Sequence, residues 1–215
     1  MLIWAFLGSE CMFFGSLIAT YLVYYGQSIS GPGPADVLDI NTTTVSTFVL
    51  LMSSLMMVLS YSAISKGDVK RFRVWILCTA ILGSTFLGFQ FFEFTEFAHH
   101  HQEFECPPAL DRPAQYPDTA CMDGATHYEA NYGLTPRTNL FGSTFFTLTG
   151  FHGAHVTVGV IWLLSLFGYS FRRRGEDLIR DGGLNVDLAA LYWHFVDIVW
   201  IVIFTVVYLI GVTVA

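Results

Sequence analysis

Seven ionisable side chains stand in stretches otherwise too apolar to hold them. Glu10 lies in LGSECMFFG, Glu93 and Glu96 in FQFFEFTEF, His152 and His155 in TGFHGAHVTVG, and His194 and Asp197 in LYWHFVDIVW. Such groups are costly in apolar surroundings, and they mark function or tie helices together. His152 and His155 are three residues apart, and His194 and Asp197 repeat that spacing, so each pair shares a helix face. Three histidines and a carboxylate are donors that suit zinc or iron. Against a metal stands the topology: the two helices run in opposite directions, and the pairs are expected at different depths. The twin Glu-x-x-His segments of carboxylate-bridged di-iron bundles are missing as well. A two-histidine haem would need ligands at matching depth, His155 opposite His194, and the same mismatch argues against it.

The plainer reading of the histidines is interhelical glue, worth about 0.6–2 kcal/mol per contact in a membrane. Gly142, Ser143, Gly150, Gly153, Ala154 and Gly159 are small enough for the close helix approach this needs. Trp193 flanks His194, as Trp200 follows Asp197. Glu10 stays open between proton handling and a hydrogen bond to another helix. The run His99-His100-His101 reads as a solvated helix end.

The elements that must position these groups are apolar runs. The chain is 53% hydrophobic, 16% aromatic and 13% charged, against about 25% charged in an ordinary soluble domain. Five runs, 2–25, 42–65, 74–97, 140–170 and 187–211, each supply the roughly 20 residues a spanning helix needs. Backbone satisfaction in lipid requires them to be helices, so the fold expected is an all-α bundle of five transmembrane helices forming one membrane domain. The first run begins at Met1 without a basic leader or cleavage site and reads as a retained span.

The net charge of −7 hides a sorting by loop. Lys66, Lys70, Arg71 and Arg73 lie between spans two and three, and Arg172, Arg173, Arg174 and Arg180 between spans four and five. Eight of the ten basic residues thus share one side, which the positive-inside rule makes cytoplasmic. The N-terminus is then inside and the C-terminus outside. The outward loop 98–139 carries five prolines and the acids Glu103, Glu105, Asp111, Asp118, Asp123 and Glu129. It is longer than an ordinary helix connection, so it reads as functional or as held against a partner. Cys11 and Cys78 fall in spans. Cys106 and Cys121 fall in the outward loop, where they either bridge, closing a loop worth about 3 kcal/mol, or stay thiols.

Taken in order, SECMFFG (Ser9–Gly15), NTTTVSTFVLLMSS from Asn41, KGDVKRFR, FLGFQFFEFTEF, GSTFFTLTGFHGAHVTVGVIW and ALYWHFVDIVWIVIFTVVYLIG resemble the third subunit of haem–copper terminal oxidases. This is the cytochrome c oxidase and quinol oxidase family. The resemblance implies an accessory subunit with no redox centre or metal of its own, beside a catalytic subunit I and a subunit II that carry haem and copper. It implies bound phospholipid in a cleft between helix groups, and support of proton uptake. Glu10 matches the family's carbodiimide-reactive acid, associated with proton uptake or lipid contact. Glu93, His152, His155, His194 and Asp197 match positions read as interhelical or lipid-headgroup contacts, and Glu96 and Trp193 are grouped with them.

Two departures matter. The seven-span members carry two helices before the segment matching Met1, so this chain resembles the five-span bacterial form, and other subunits or lipid would complete the cleft. The loop 98–139 is also longer than in the family, and its acidic surface suits a basic cytochrome c or a neighbouring respiratory complex, the alternative being a solvated insertion. The expected place is the bacterial inner membrane, with membrane phospholipids and oxidase subunits as partners and no nucleic acid. The rivals are a quinol oxidase subunit, a free-standing proton or solute transporter using Glu10 and the histidines, and a haem- or metal-binding membrane enzyme. Internal repeats and broken helices, which would favour a transporter, are not evident.

Overall fold

The computed structural model describes residues 2–27, 38, 40–98, 101–105, 127–131, 134, 136, 139–171 and 183–210. Within them, five helices are long and apolar enough to cross a membrane. They are α1 (Leu2–Tyr24), α2 (Ile40–Ser65), α3 (Val69–Ala98), α4 (Leu140–Tyr169) and α5 (Leu184–Ile203), the last continuing as a π-helix over Phe204–Ile210. Even α1, with 23 residues, reaches about 35 Å at 1.5 Å per residue, more than the roughly 30 Å of bilayer hydrocarbon.

Local chemistry sets the helix ends. Gly67 takes a left-handed φ of 76°, and the N–H groups of Gly67 and Asp68 donate to the carbonyls of Ile64 and Ala63, closing α2. Asp68 then opens α3, its Oδ1 accepting the Arg71 N–H at 3.1 Å. The helix therefore starts inside the basic turn, ahead of the apolar run. Asn139 caps α4 in the same way, accepting from the Gly142 N–H at 2.7 Å.

Helices α2, α3, α4 and α5 pack in that order around a ring that closes from α5 back to α2, while α1 lies outside it against α4 and α5. The α2 face turned into the ring carries hydroxyls, Thr43, Ser46, Thr47, Ser53 and Ser60, whereas Phe48, Leu51, Leu55 and Val58 point outward. A soluble helix is patterned the other way. In lipid no hydrophobic force pulls helices together, so small residues and hydrogen bonds hold the interface while apolar groups face the tails. The membrane part is all-α, and one addition lies outside it: β1 (His101–Glu105) pairs antiparallel with β2 (His127–Asn131), Glu103 opposite Glu129. Five-residue alternations in a loop of mixed composition gave no strand signal.

Trp193 of α5 locks the ring. A Cβ at Gly83 of α3 would lie 2.5 Å from its Cη2, and one at Gly159 of α4 would lie 2.8 Å from its Cζ3. Its indole N–H donates to Ser53 Oγ of α2 at 3.0 Å. One side chain thus touches all three other ring helices. Two turns on and on the same face, Trp200 donates to Thr47 Oγ1 at 3.0 Å and meets Phe86 edge-on at 4.8 Å. Gly83→Ala and Gly159→Ala are expected to lower the thermal midpoint of the detergent-solubilised protein by several degrees, because overpacking costs about 1–3 kcal/mol. Gly150→Ala, where a Cβ meets nothing within 4 Å, should leave the midpoint unchanged or raise it. Equal behaviour of all three variants in a melting curve would remove the wedge from the account.

Candidate functional site

Polar side chains gather at two levels of the bundle. At mid-depth, Glu10 of α1 meets His155 of α4, with Oε2 and Nε2 3.2 Å apart and side-chain exposures of 18% and 20%. His155 Nδ1 lies 2.8 Å from the carbonyl oxygen of Phe151. A carbonyl only accepts, so Nδ1 carries a proton and donates. A hydrogen bond between Nε2 and Oε2 then needs one further proton, held by either the imidazole or the carboxyl. The two groups share a site for a single exchangeable proton. Phe14 stands edge-on to His155 at 5.0 Å, and Tyr192 of α5 donates its hydroxyl to the His155 carbonyl at 3.0 Å.

His152 lies one turn away and is fully buried. Its ring stacks on Trp200 at 4.9 Å and is met edge-on by Phe86 and Phe14 at 5.9 and 6.5 Å. Neither ring nitrogen has a hydrogen-bond partner among the described residues. On α5, His194 Nδ1 is 2.6 Å from Ser54 Oγ of α2. Asp197, 3% exposed, also lies beside Ser54, although neither of its oxygens makes a hydrogen bond of ordinary geometry among the described residues.

The two α4 and α5 pairs stand at the same depth, contrary to the expectation from sequence. His152 stacks on Trp200 and His155 receives Tyr192, and those two α5 residues bracket His194 and Asp197. The reason is geometric. Each pair lies between about 10 and 15 residues from its own helix start, roughly 15–22 Å at 1.5 Å per residue. Antiparallel helices of this length therefore bring them level. Level placement does not assemble a metal site: no group of three or more His, Cys, Asp or Glu able to hold an ion occurs among the described residues.

The second level lies at the end where α2 begins and α3 finishes. Glu93 Oε1 of α3 accepts from Thr43 Oγ1 of α2 at 2.9 Å and from Tyr208 of the π-helical stretch at 3.1 Å. Glu96 stands exposed on the same helix end. Close to mid-depth, Gln90 Nε2 donates to the Thr149 carbonyl at 2.8 Å, and a Cβ at Gly153 would come 2.9 Å from Gln90 Oε1. Gln90, Tyr192, Tyr208 and the α2 hydroxyls are functional-site neighbours that sequence reasoning missed. The Thr/Ser repeat of α2 was the available signal, since Thr43, Thr47 and Ser54 recur on one helical face and Ser46, Ser53 and Ser60 on the adjacent one. Cys106, Cys121, His99 and His100 lie outside the described residues, as does most of the loop between the strands.

Known proteins supply the frame for this arrangement. The family model for cytochrome c oxidase subunit III matches residues 121–212. The chain is 35% identical to cytochrome c oxidase subunit 3 of Alkalihalophilus pseudofirmus, covering 97% of this chain and 85% of the relative. It is 34% identical to cytochrome c oxidase subunit 3 of Bacillus sp. (strain PS3), covering 97% and 84%. Against quinol oxidase subunit 3 of Bacillus spizizenii, identity is 31% over 97% and 85%. With five candidate spans and bacterial oxidase subunits as relatives, the chain is a multi-pass protein of the bacterial plasma membrane. It belongs to the cytochrome c oxidase subunit III family and is the third subunit of a haem–copper terminal oxidase complex, with the other oxidase subunits as its partners.

Proposed function

We propose that this chain is the accessory, non-redox subunit of a cytochrome c oxidase, bracing the catalytic subunit, holding phospholipid and feeding protons inward during oxygen reduction. The observation that carries the proton role is the Glu10–His155 pair, one exchangeable proton between two half-buried groups where α1 meets the ring. A pair that already shares a proton passes it on with little rearrangement, which a lone buried carboxylate cannot do. The basic turns mark the cytoplasmic side, which sets the N-terminus inside and the C-terminus outside. Haem and copper belong to the partner subunits, and the role of His152, His194 and Asp197 is to fix helix interfaces and their lipids. The acidic loop 98–139 docks a basic cytochrome c or a neighbouring respiratory complex.

A quinol oxidase is the second reading, favoured by the relatives that carry that name at 31% identity. A tagged pull-down in mild detergent with a reduced-minus-oxidised spectrum separates the two through the co-purifying second subunit. A dinuclear copper centre on that subunit is expected; its absence would move the assignment to quinol. A colourless chain arriving alone would remove both.

Glu10→Gln keeps a hydrogen-bonding group of the same size but cannot share a proton. The variant complex should assemble normally, yet lose activity several-fold faster during turnover on an oxygen electrode, more markedly at alkaline pH where protons are scarce. His155→Gln should follow the same profile. Unchanged kinetics in both would leave the pair as a packing contact.

For His194, a double-mutant cycle with Ser54 isolates the interhelical bond. His194→Ala and Ser54→Ala should couple by about 0.6–1.7 kcal/mol, the range for such bonds in membranes. Retention of the subunit during purification and its melting temperature supply the readout. Strict additivity would mean that this contact does not hold α5 to α2.

A further inference from the structure

Away from these polar levels, a groove of about 700 Å³ opens at the basic elbow between α2 and α3. Its rim is cationic: Lys66, Lys70 and Arg71 all line it. Only one carboxylate, Asp68, joins them among the described lining residues, and it is committed to Arg71 through the cap bond and an Oδ2–Nε contact of 3.2 Å. Neither Lys66 nor Lys70 has an ion-pair partner among the described residues. Among the described residues the elbow therefore carries two uncompensated positive charges.

Its wall is of the opposite character. Leu59 and Ala63 of α2 face Val74 and Trp75 of α3, and Val74 is 57% exposed. The axial order decides what fits. Lys66 directly follows the last residue of α2, and Lys70 is the second residue of α3, so both cations sit where the spans leave the hydrocarbon. Leu59, Val74 and Trp75 lie one to two turns deeper, among the lipid tails. Trp75, with an apolar body and a polar N–H, suits the boundary between them. Ser62 adds a hydroxyl on the α2 side.

We propose that this elbow binds the headgroup of an anionic phospholipid, with phosphate at Lys66 and Lys70 and an acyl chain running down the Leu59–Val74–Trp75 wall. A free phosphate would use the rim and leave the wall bare. A neutral lipid would use the wall and leave two cations unpaired. An anionic lipid satisfies both at once, and polybasic segments beside spans gain about a kilocalorie per cation from such headgroups, roughly a fivefold change in affinity for each. The site is separate from any cleft between α1 and the ring and needs only that the chain spans a membrane, so it stands or falls independently of the Glu10 reading.

The test uses the intact oxidase complex purified in mild detergent, comparing wild type with Lys66→Gln/Lys70→Gln and with the charge-preserving Lys66→Arg/Lys70→Arg. Native mass spectrometry should show one fewer tightly held phosphatidylglycerol per complex in the Gln pair, and wild-type retention in the Arg pair. After delipidation, vesicles containing phosphatidylglycerol should restore the wild-type melting temperature at about 25-fold lower lipid than the Gln pair requires, roughly fivefold for each cation removed. Val74→Gln, which breaks the wall and spares the cations, should weaken the effect as well. Equal lipid retention in wild type and the Gln pair would overturn the proposal. So would equal rescue by phosphatidylcholine vesicles, which would make the site indifferent to charge, or full rescue by inorganic phosphate, which would make the chain wall irrelevant.

Discussion

The bundle depends on one residue reaching three helices. Trp193 sits where a Cβ on either Gly83 or Gly159 would collide with its ring, and its indole N–H is held by Ser53. In water a buried tryptophan would gain chiefly from leaving solvent. In lipid that gain vanishes, and what remains is contact area, close backbone approach and a satisfied N–H. All three are met at once, and they can be met only if α3 and α4 lack side chains at those points. The glycines thus set the spacing of α5 from its neighbours, and that spacing decides which polar groups meet.

From this follows a division among the ionisable residues. His152 and Asp197 lie deep in the ring, 0% and 3% exposed, and His152 is enclosed by Trp200 and Phe86. Any change of charge there would be made without bulk water. Glu10 and His155 differ. They stand where α1 lies against the ring, and α1 leaves Leu2, Trp4 and Met12 facing outward. Because His155 Nδ1 is tied to the Phe151 carbonyl, only its Nε2 is free to exchange a proton with Glu10. Of the two mid-depth acids, Glu10 and Asp197, the one less deeply buried is also the one with a proton-sharing partner.

The spans were legible in the sequence because apolar runs of this length have one outcome in lipid. Their contents were less so. Glu10, His152, His155, His194 and Asp197 could be picked out by charge alone, and their helices followed from the runs that hold them. Depth was misjudged, since it depends on where α4 and α5 start, and the Asn139 cap bond and the left-handed Gly183 set those starts in ways that hydropathy does not register. The roles of Gly83 and Gly159 were out of reach, because a glycine in a membrane helix says only that something comes close, never what. Glu93 was visible as an acid near a span end, but its link to Tyr208 requires the π-helical stretch that carries that tyrosine. The β1–β2 pairing depends on residues more than twenty positions apart, which no local pattern joins.

The ties fall at three levels along the bundle. At one end Glu93 joins α2, α3 and α5. At mid-depth Ser53 and Ser54 hold Trp193 and His194. At the other end the Arg73 guanidinium donates to Ser170, from Nε to Oγ at 3.1 Å and from Nη2 to the carbonyl, and lies over the Phe171 ring at 4.4 Å. A ring of helices pinned at top, middle and bottom resists twisting and sliding alike, since any relative motion must break a bond that lipid cannot replace. Helix α1 is held differently: the Glu10–His155 pair ties it to the ring, supported by ring contacts from Phe6, Phe13 and Phe14. The protonation state of that pair therefore bears on the most loosely held helix of the subunit. A change there alters the seat of α1 before it disturbs anything in the ring.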